Sequence, residues 1–354
     1  MAELTWRGKN TSIEQYDHAA HATPAKRLTT IETFNLLNNL SAQTISQPPQ
    51  PPQSSQPSST ASWFNRLISG DKNAVLPALL PEFAQQIDLI YIDPPFMTGR
   101  NFTSGSQLAY HDTWNRDVDT YLQWLYETFC WLHRLLAEHG SLYVHLDWRA
   151  IHYARVMLDE IFGLALDGEG PGFKSEIIWQ YQSGGRSQKH FARKHDTILL
   201  YTKSARYCFH PERIGERRGT NKRNHMRKQV GADGRVAWTI RSAGRLYTYD
   251  EDTLMTPSDV WSDISHLQQK DPERNGYATQ KPEALLERII LASSEVSDIV
   301  LDCFCGSGVT PVVAQRLGRR WIASDQSELA IEVTQQRLLT HPDPAPFVLQ
   351  HCIE

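Results

Sequence analysis

Asp88-Leu-Ile-Tyr-Ile-Asp-Pro-Pro-Phe96 reads as a short strand that ends in a carboxylate, two prolines and an aromatic ring. The apolar run, rich in Ile and Tyr, fits a strand buried on both faces, as in a parallel sheet covered by helices. The prolines fix φ and donate nothing to a ladder, so the chain leaves the sheet in a stiff, extended form. That stiffness gathers the Asp93 carboxylate, the Pro94 carbonyl and, beyond Pro95, the Phe96 ring around one small space. Ligands of open α/β sheets bind at the carboxyl ends of the strands. Two acceptors beside a ring suit an amino group with two hydrogens, lying flat. An ordinary strand exit, with a solvated Asp93 and a packed Phe96, fits this stretch equally well, and the rest of the chain has to decide.

At 354 residues the chain has room for one large α/β domain and an inserted or appended module. A net charge of −4 makes any nucleic-acid surface a local one. Cys130, Cys208, Cys303, Cys305 and Cys352 are scattered without a C-x-x-C pair. That pattern argues against a disulfide framework or a zinc site, so no metal is expected, and it fits a reducing compartment. No apolar run is long enough to span a bilayer and the N-terminus carries no signal peptide, so the expectation is a cytoplasmic protein without membrane contact.

Upstream of the Asp88 stretch, Asn65-Arg-Leu-Ile-Ser-Gly-Asp71 reads as a strand with a Gly-Asp turn, and a helix is expected over 76–83. Residues 41–62, rich in Gln, Pro and Ser, cannot bury a core and read as a flexible linker; a helix is expected before it, over 28–40. Downstream, Met97-Thr-Gly-Arg-Asn-Phe102 is a turn-rich loop that either closes over a bound group or is simply solvated. Apolar positions at helical spacing predict a helix over 120–139, with Gly140 as its C-cap. A strand over 141–147, a helix over 148–162 stopped by Gly163, and strands over 176–181 and 197–202 follow. His145 and Asp147 are assigned no chemistry. Between Arg206 and Lys228 stand eight Arg or Lys residues against two Glu, opening a loop-rich insert that runs to about residue 268. A solvated basic face is the usual meaning of such a run. Its concentration in an otherwise acidic chain favours phosphate contacts, with Arg217, Arg218, Lys222 and Arg223 as the candidates.

The last third returns to α/β grammar. Ala278-Thr-Gln-Lys-Pro282 opens a helix, Pro282 standing at a tolerated first-turn position. Asp298-Ile-Val-Leu-Asp302 is a buried strand running into Cys303-Phe-Cys-Gly-Ser-Gly-Val-Thr310 and another helix. Gly306 and Gly308 let a ligand approach the backbone near the positive end of that helix. The next strand, 320–325, ends in Asp325, an acid placed for the two hydroxyls of a ribose. A dinucleotide fingerprint wants a third glycine where this chain has Pro311. A nucleoside without a pyrophosphate points to S-adenosylmethionine rather than NAD.

Asp93-Pro-Pro-Phe96, Thr279-Gln-Lys-Pro282, Asp302-Cys-Phe-Cys-Gly-Ser-Gly308 and Asp325, in this order, resemble the motifs of the amino-group DNA methyltransferases. The order is that of their circularly permuted β class, which includes site-specific adenine methyltransferases and the modification subunits of type III restriction–modification systems. Cys303 and Val309 depart from the usual D-P-F-x-G-S-G-T-T turn, and Phe96 stands where Tyr is frequent; no glycine or leading acid is lost. The resemblance implies a circularly permuted Rossmann-like α/β sheet with an inserted target-recognition region, and the Asp93 and Asp302 strands side by side at its centre. It divides the chain into an N-terminal segment 1–40, the linker 41–62, a catalytic half 63–205, the basic target-recognition insert 206–268, a cofactor half 269–340 and a tail 341–354. It implies catalysis by Asp93, Pro94, Pro95 and Phe96, and cofactor binding by Asp71, Lys281, Asp302, Phe304, Gly306, Gly308 and Asp325. Lys281 would lie near the methionine carboxylate, Asp302 near its amino group and Asp71 near the adenine. The implied reaction is methylation of the N6 amino group of adenine in duplex DNA, by in-line displacement on a flipped base. N4-cytosine methylation and a non-catalytic DNA-binding relative stay open, as do a homodimer and a restriction subunit as partners.

Overall fold

A computed structural model describes residues 4–9, 27–34, 63–104, 107–114, 117–165, 168–182, 187–219 and 225–353. The linker expected over 41–62, and Lys222 and Arg223, lie outside these residues. Ten strands form one sheet: β1 (Arg27–Phe34), β2 (Asn65–Ser69), β3 (Ile87–Ile92), β4 (Leu136–Leu146), β5 (Gly172–Gln180), β6 (His195–Thr202), β7 (Val260–Trp261), β8 (Ile299–Asp302), β9 (Arg320–Asp325) and β10 (Phe347–Ile353). Their spatial order is β1-β10-β2-β9-β8-β3-β4-β6-β5-β7. The six from β10 to β4 run parallel, and β6 is antiparallel to both its neighbours.

Alternation along β3 shows how the sheet is covered. Ile90 and Ile92 face one cluster, built with Val75, Leu76 and Leu79 of α1 (Lys72–Phe83), Leu125, Phe129 and Leu132 of α2 (Val118–Leu135), and Ala154, Met157 and Leu158 of α3 (Ile151–Phe162). Leu89 and Tyr91 face the other, built with Leu285, Leu286, Ile289 and Ile290 of α4 (Glu283–Ser293), Val312 and Val313 of α5 (Val309–Arg316), and Ile331 and Leu338 of α6 (Glu328–Leu339). A strand apolar on both sides is what such double cover requires. Strands β8 and β9, late in the sequence, pack between β3 and β2, early in it; Leu301 pairs with Ile90, and Ser324 with Ile68. Among the described residues no helix is long and apolar enough to cross a membrane.

Several expected elements change. Residues 27–34 form strand β1 instead of the start of a helix. Thr29, Thr30, Ile31 and Thr33 are β-branched, and the tail supplies the partner: Thr29 pairs with His351 and Phe34 with Phe347. Gly140 caps no helix. Helix α2 ends at Leu135, β4 begins at once, and Gly140 lies beside a register shift against β3, where a Cβ would stand 2.9 Å from the Ile87 carbonyl oxygen. Helix α3 begins at Ile151 rather than at Trp148, since Asp147 accepts from the Arg149 amide (2.8 Å) and holds a turn before it. The insert is β-structured where a loop-rich segment was expected: 227–230, 236–242 and 245–250 make a three-stranded antiparallel sheet, and 216–217 pairs with 254–255.

Candidate active site

Every strand from β2 to β4, taken across the sheet, delivers an aspartate to the same edge. Asp71 follows β2, Asp325 ends β9, Asp302 ends β8, Asp93 follows β3 and Asp147 follows β4. All except Asp147 line one cleft at the carboxyl ends of the parallel strands, about 1020 Å³ of space that is partly open to solvent. The lining carries five aspartates (Asp112 is the fifth) and two lysines, Lys72 and Lys281.

On the glycine side, Asp302 accepts from the Phe304 amide (3.0 Å) and the Thr310 hydroxyl (2.5 Å). Both donors favour its charged form, yet burial outweighs them and, with Asp93 and Asp325 nearby, pushes Asp302 up to about 7. Burial also pushes Asp325 up to about 6, against amide donors from Ser327 (2.9 Å) and Gly306 (3.0 Å). Gly306 and Gly308 hold positive φ, 49° and 76°. Their lack of a Cβ serves packing: at Gly308 it would stand 2.7 Å from Thr334 Oγ1 and 3.0 Å from its Cα, and at Gly306 3.2 Å from the Tyr277 ring. Phe304 packs on Trp124, with ring centroids 5.5 Å apart. Asp71 is the N-cap of α1, accepting from the Asn73 amide (2.8 Å).

On the proline side, Lys281 forms an ion pair with Asp93 Oδ2, and its ammonium lies 5.3 Å from the centre of the Phe96 ring. Resemblance puts Lys281 near a ligand carboxylate; here it holds Asp93. Asp93 Oδ1 is buried without a hydrogen-bond partner among the described residues. The Tyr121 hydroxyl donates to the Pro95 carbonyl (2.9 Å), locking the diproline turn. The Phe96 ring stacks on His145 (6.0 Å, 30°). His145 in turn bridges the Tyr91 hydroxyl (2.9 Å) and Asp196 (3.3 Å), so it acts as a satisfied core group behind the ring.

The loop after Phe96 forms a hairpin, Arg100–Ser104 with Gln107–Asp112, whose Phe102 and Tyr110 reach the cleft. Buried Asp112 ties its base by accepting from the Met97 and Thr98 amides (2.8 Å each) and from Trp114 (2.9 Å). The Ser104 hydroxyl donates to the Gly276 carbonyl across the cleft mouth. Sequence reading missed Lys72, Asp112, Trp124 and Tyr277. Tyr277 stands one residue before the Ala278 motif; the others carry no local signal. Buried Lys72 donates to the Trp124 carbonyl (3.0 Å), and burial pushes it down to about 8.

The phosphate-contact candidates fare differently. Arg218 is 3% exposed and its guanidinium lies over Trp238 (5.0 Å), so it is a packing residue of the insert and presents no charge to a phosphate. Arg217 is exposed and paired with Asp252 (2.9 Å). Away from the cleft, Cys208, His210 and Glu295 bring one ligand atom each within 4.8 Å of one another, with Arg213 bound to Glu295 at 2.7 Å.

The lining suits a nucleoside that carries positive charge. An anionic pyrophosphate would meet a surplus of carboxylates, whereas an ammonium and a sulfonium would be attracted to them. Across the cleft, the unpartnered Asp93 oxygen beside an aromatic face leaves an acceptor for an amine.

The sequence family described as DNA methylase is matched over residues 87–336. DNA adenine methyltransferase YhdJ of Escherichia coli (strain K12) is 30% identical over 274 residues, 77% of this chain and 82% of that protein. Type II methyltransferase M.HpaI of Haemophilus parainfluenzae is 32% identical over 254 residues, 71% of this chain and 68% of that protein. The solved PvuII DNA methyltransferase (cytosine-N4-specific) aligns with a TM-score of 0.49 at 20% identity, covering 79% of this chain and 88% of that one. The match begins at the first residue of β3, takes in both halves of the cleft and ends within α6: this chain belongs to the DNA methylase family.

Proposed function

We propose that this chain is a site-specific DNA methyltransferase that uses S-adenosylmethionine to methylate the N6 amino group of adenine in duplex DNA. The observation that carries the reading is the Asp93 carboxylate, with one oxygen held by Lys281 and the other buried and unpartnered beside the Phe96 ring. When bound, the cofactor supplies a methyl group on a sulfonium, which an amine displaces in one step without a covalent enzyme intermediate. Asp302 and Asp325 would hold its ammonium and ribose ends, with Phe304 and Tyr277 as apolar walls.

The exocyclic amine of adenine is a poor nucleophile because its lone pair is delocalised into the ring. Hydrogen bonds from that amine to Asp93 Oδ1 and the Pro94 carbonyl favour a pyramidal nitrogen and aim the lone pair along one direction. The Lys281 ammonium occupies Asp93 Oδ2, which leaves Oδ1 as the oxygen that accepts from the amine. Because the nitrogen becomes acidic only once methylated, Asp93 works by orientation and charge stabilisation rather than as a strong base. Phe96, backed by His145, offers a fixed face on which an extruded base stacks.

Adenine is supported by Asp at the head of the tetrapeptide and by the name of YhdJ, a DNA adenine methyltransferase. Duplex DNA is supported by the insert, whose edge strand exposes Arg227 and Lys228. Expression in a methylation-free host, followed by nucleoside mass spectrometry and modified-base sequencing, tests the proposal. N6-methyladenine confined to one short sequence is expected. N4-methylcytosine would move the chain to the sibling chemistry, and an unmodified genome would reject the assignment.

A further inference from the structure

Phe191 is 99% exposed, the most exposed large hydrophobic side chain among the described residues. A scattered surface aromatic ordinarily needs no explanation, but this one is presented. Ser187 Oγ accepts from the Lys189 amide (3.3 Å) and the His190 amide (3.2 Å), and His190 Nδ1 donates to the Phe191 carbonyl (2.9 Å). These bonds order the turn that carries the exposed ring. Cations flank it in sequence: Lys189 and Arg193 are exposed, and the Arg193 guanidinium stacks over Trp148 at 3.8 Å, itself 41% exposed, with Arg149 on the same ring at 4.7 Å.

Topology puts this turn at the same edge of the sheet as the cleft. Strand β4 is parallel to β3 with Val144 opposite Ile92, so Trp148 and Phe96 both follow strands that end at the same sheet edge. Strand β6 returns antiparallel with Thr197 opposite Leu146, which brings Arg193 to Trp148. Behind the turn, the Tyr181 amide donates to the Lys194 carbonyl (2.9 Å), and the Tyr181 hydroxyl to Asp196 (2.9 Å). Asp196 meets His145, the residue that backs Phe96. The exposed ring and the base-stacking ring are thus tied to one hydrogen-bonded frame.

Resting on the methyltransferase reading above, we infer that residues 187–195 with Trp148 and Arg149 form the edge of the site that grips duplex DNA, and that Phe191 is the wedge entering the base stack as the target base leaves it. An aromatic ring offset from the stacking pocket fills the gap an extruded base leaves, and its stacking offsets part of the unstacking cost. The flanking cations meet the phosphates on either side. The basic insert at 206–268 stands apart from this role.

The test is single-turnover methylation of two duplexes carrying the sequence found by genome mapping: one fully paired, one with an abasic site opposite the target base, where no pair has to break. Phe191→Ala should slow transfer on the paired duplex about ten-fold, the effect of one lost stacking contact, and leave the abasic duplex at the wild-type rate. Phe191→Trp should restore the paired rate. The melting temperature should not move, because the ring contributes nothing to the core. Equal rates for Phe191→Ala and wild type on the paired duplex, or an equal loss on both duplexes, would overturn the wedge. A wild-type protein inactive on both would overturn the methyltransferase reading, and the wedge with it.

Discussion

Asp302 receives two hydrogen bonds and still sits near 7, because removing a carboxylate from water costs more than the Phe304 and Thr310 donors return. In the free protein the folded state therefore keeps a proton between about 3.8 and about 7 that the unfolded chain has released. More protons bound by the folded state means that stability falls as pH rises through this window. Asp302→Asn should remove that part of the slope, measured as denaturant midpoints at several pH values. A cofactor ammonium favours the carboxylate, so cofactor affinity should rise with pH up to about 7 in the wild type, by at most about ten-fold per pH unit, and lose this rise in Asp302→Asn. Titration calorimetry reads both. Asp93 separates binding from chemistry. Asp93→Ala should keep cofactor affinity within a few-fold while transfer is lost, and near-normal turnover would remove Asp93 from its role. At this scale the acids and glycines were legible in the sequence. Their partners were not: Lys281 answers to Asp93, and the glycines make room for Thr334 and Tyr277.

At the scale of elements, the turn between β8 and α5 works because helix α6 lies close against it. Gly308→Ala puts a Cβ within 3.0 Å of the Thr334 backbone, in a left-handed conformation besides, and neither can relax cheaply. A loss of about 1–3 kcal/mol is expected for such overpacking, read as a shifted melting temperature, with a weaker cofactor as a consequence of the displaced turn. Strands and helices of the central sheet follow from their apolar period, and their order along the chain was readable. The exceptions have two causes. β1 and β10 are formed by residues whose pattern is weak locally and whose pairing joins segments far apart in the sequence. Gly140 looks like a helix cap because a helix and a strand meet there with no loop between them.

For the whole molecule, the two described arginines among the four expected phosphate contacts contribute little as a phosphate patch, since Arg218 is buried and Arg217 is paired. Arg217→Ala alone should change the salt slope of DNA binding by less than the ~0.9 expected for one full phosphate contact; a larger drop, measured by fluorescence anisotropy across salt concentrations, would restore Arg217 as a contact. The sequence by itself determined the fold class, the acid at the end of each site strand, the glycine turn and the permuted order of motifs. Side-chain type and period are local properties, and turns at strand ends need particular residues. Resemblance already placed β8 beside β3, as the structure has it; only the tertiary structure decided that the tail enters the sheet, that Lys281 holds Asp93, and that Phe191 rather than Arg218 faces solvent. Those outcomes depend on which surfaces meet after the chain has folded back on itself, and no local pattern records the far partner of a strand, a charge or a ring.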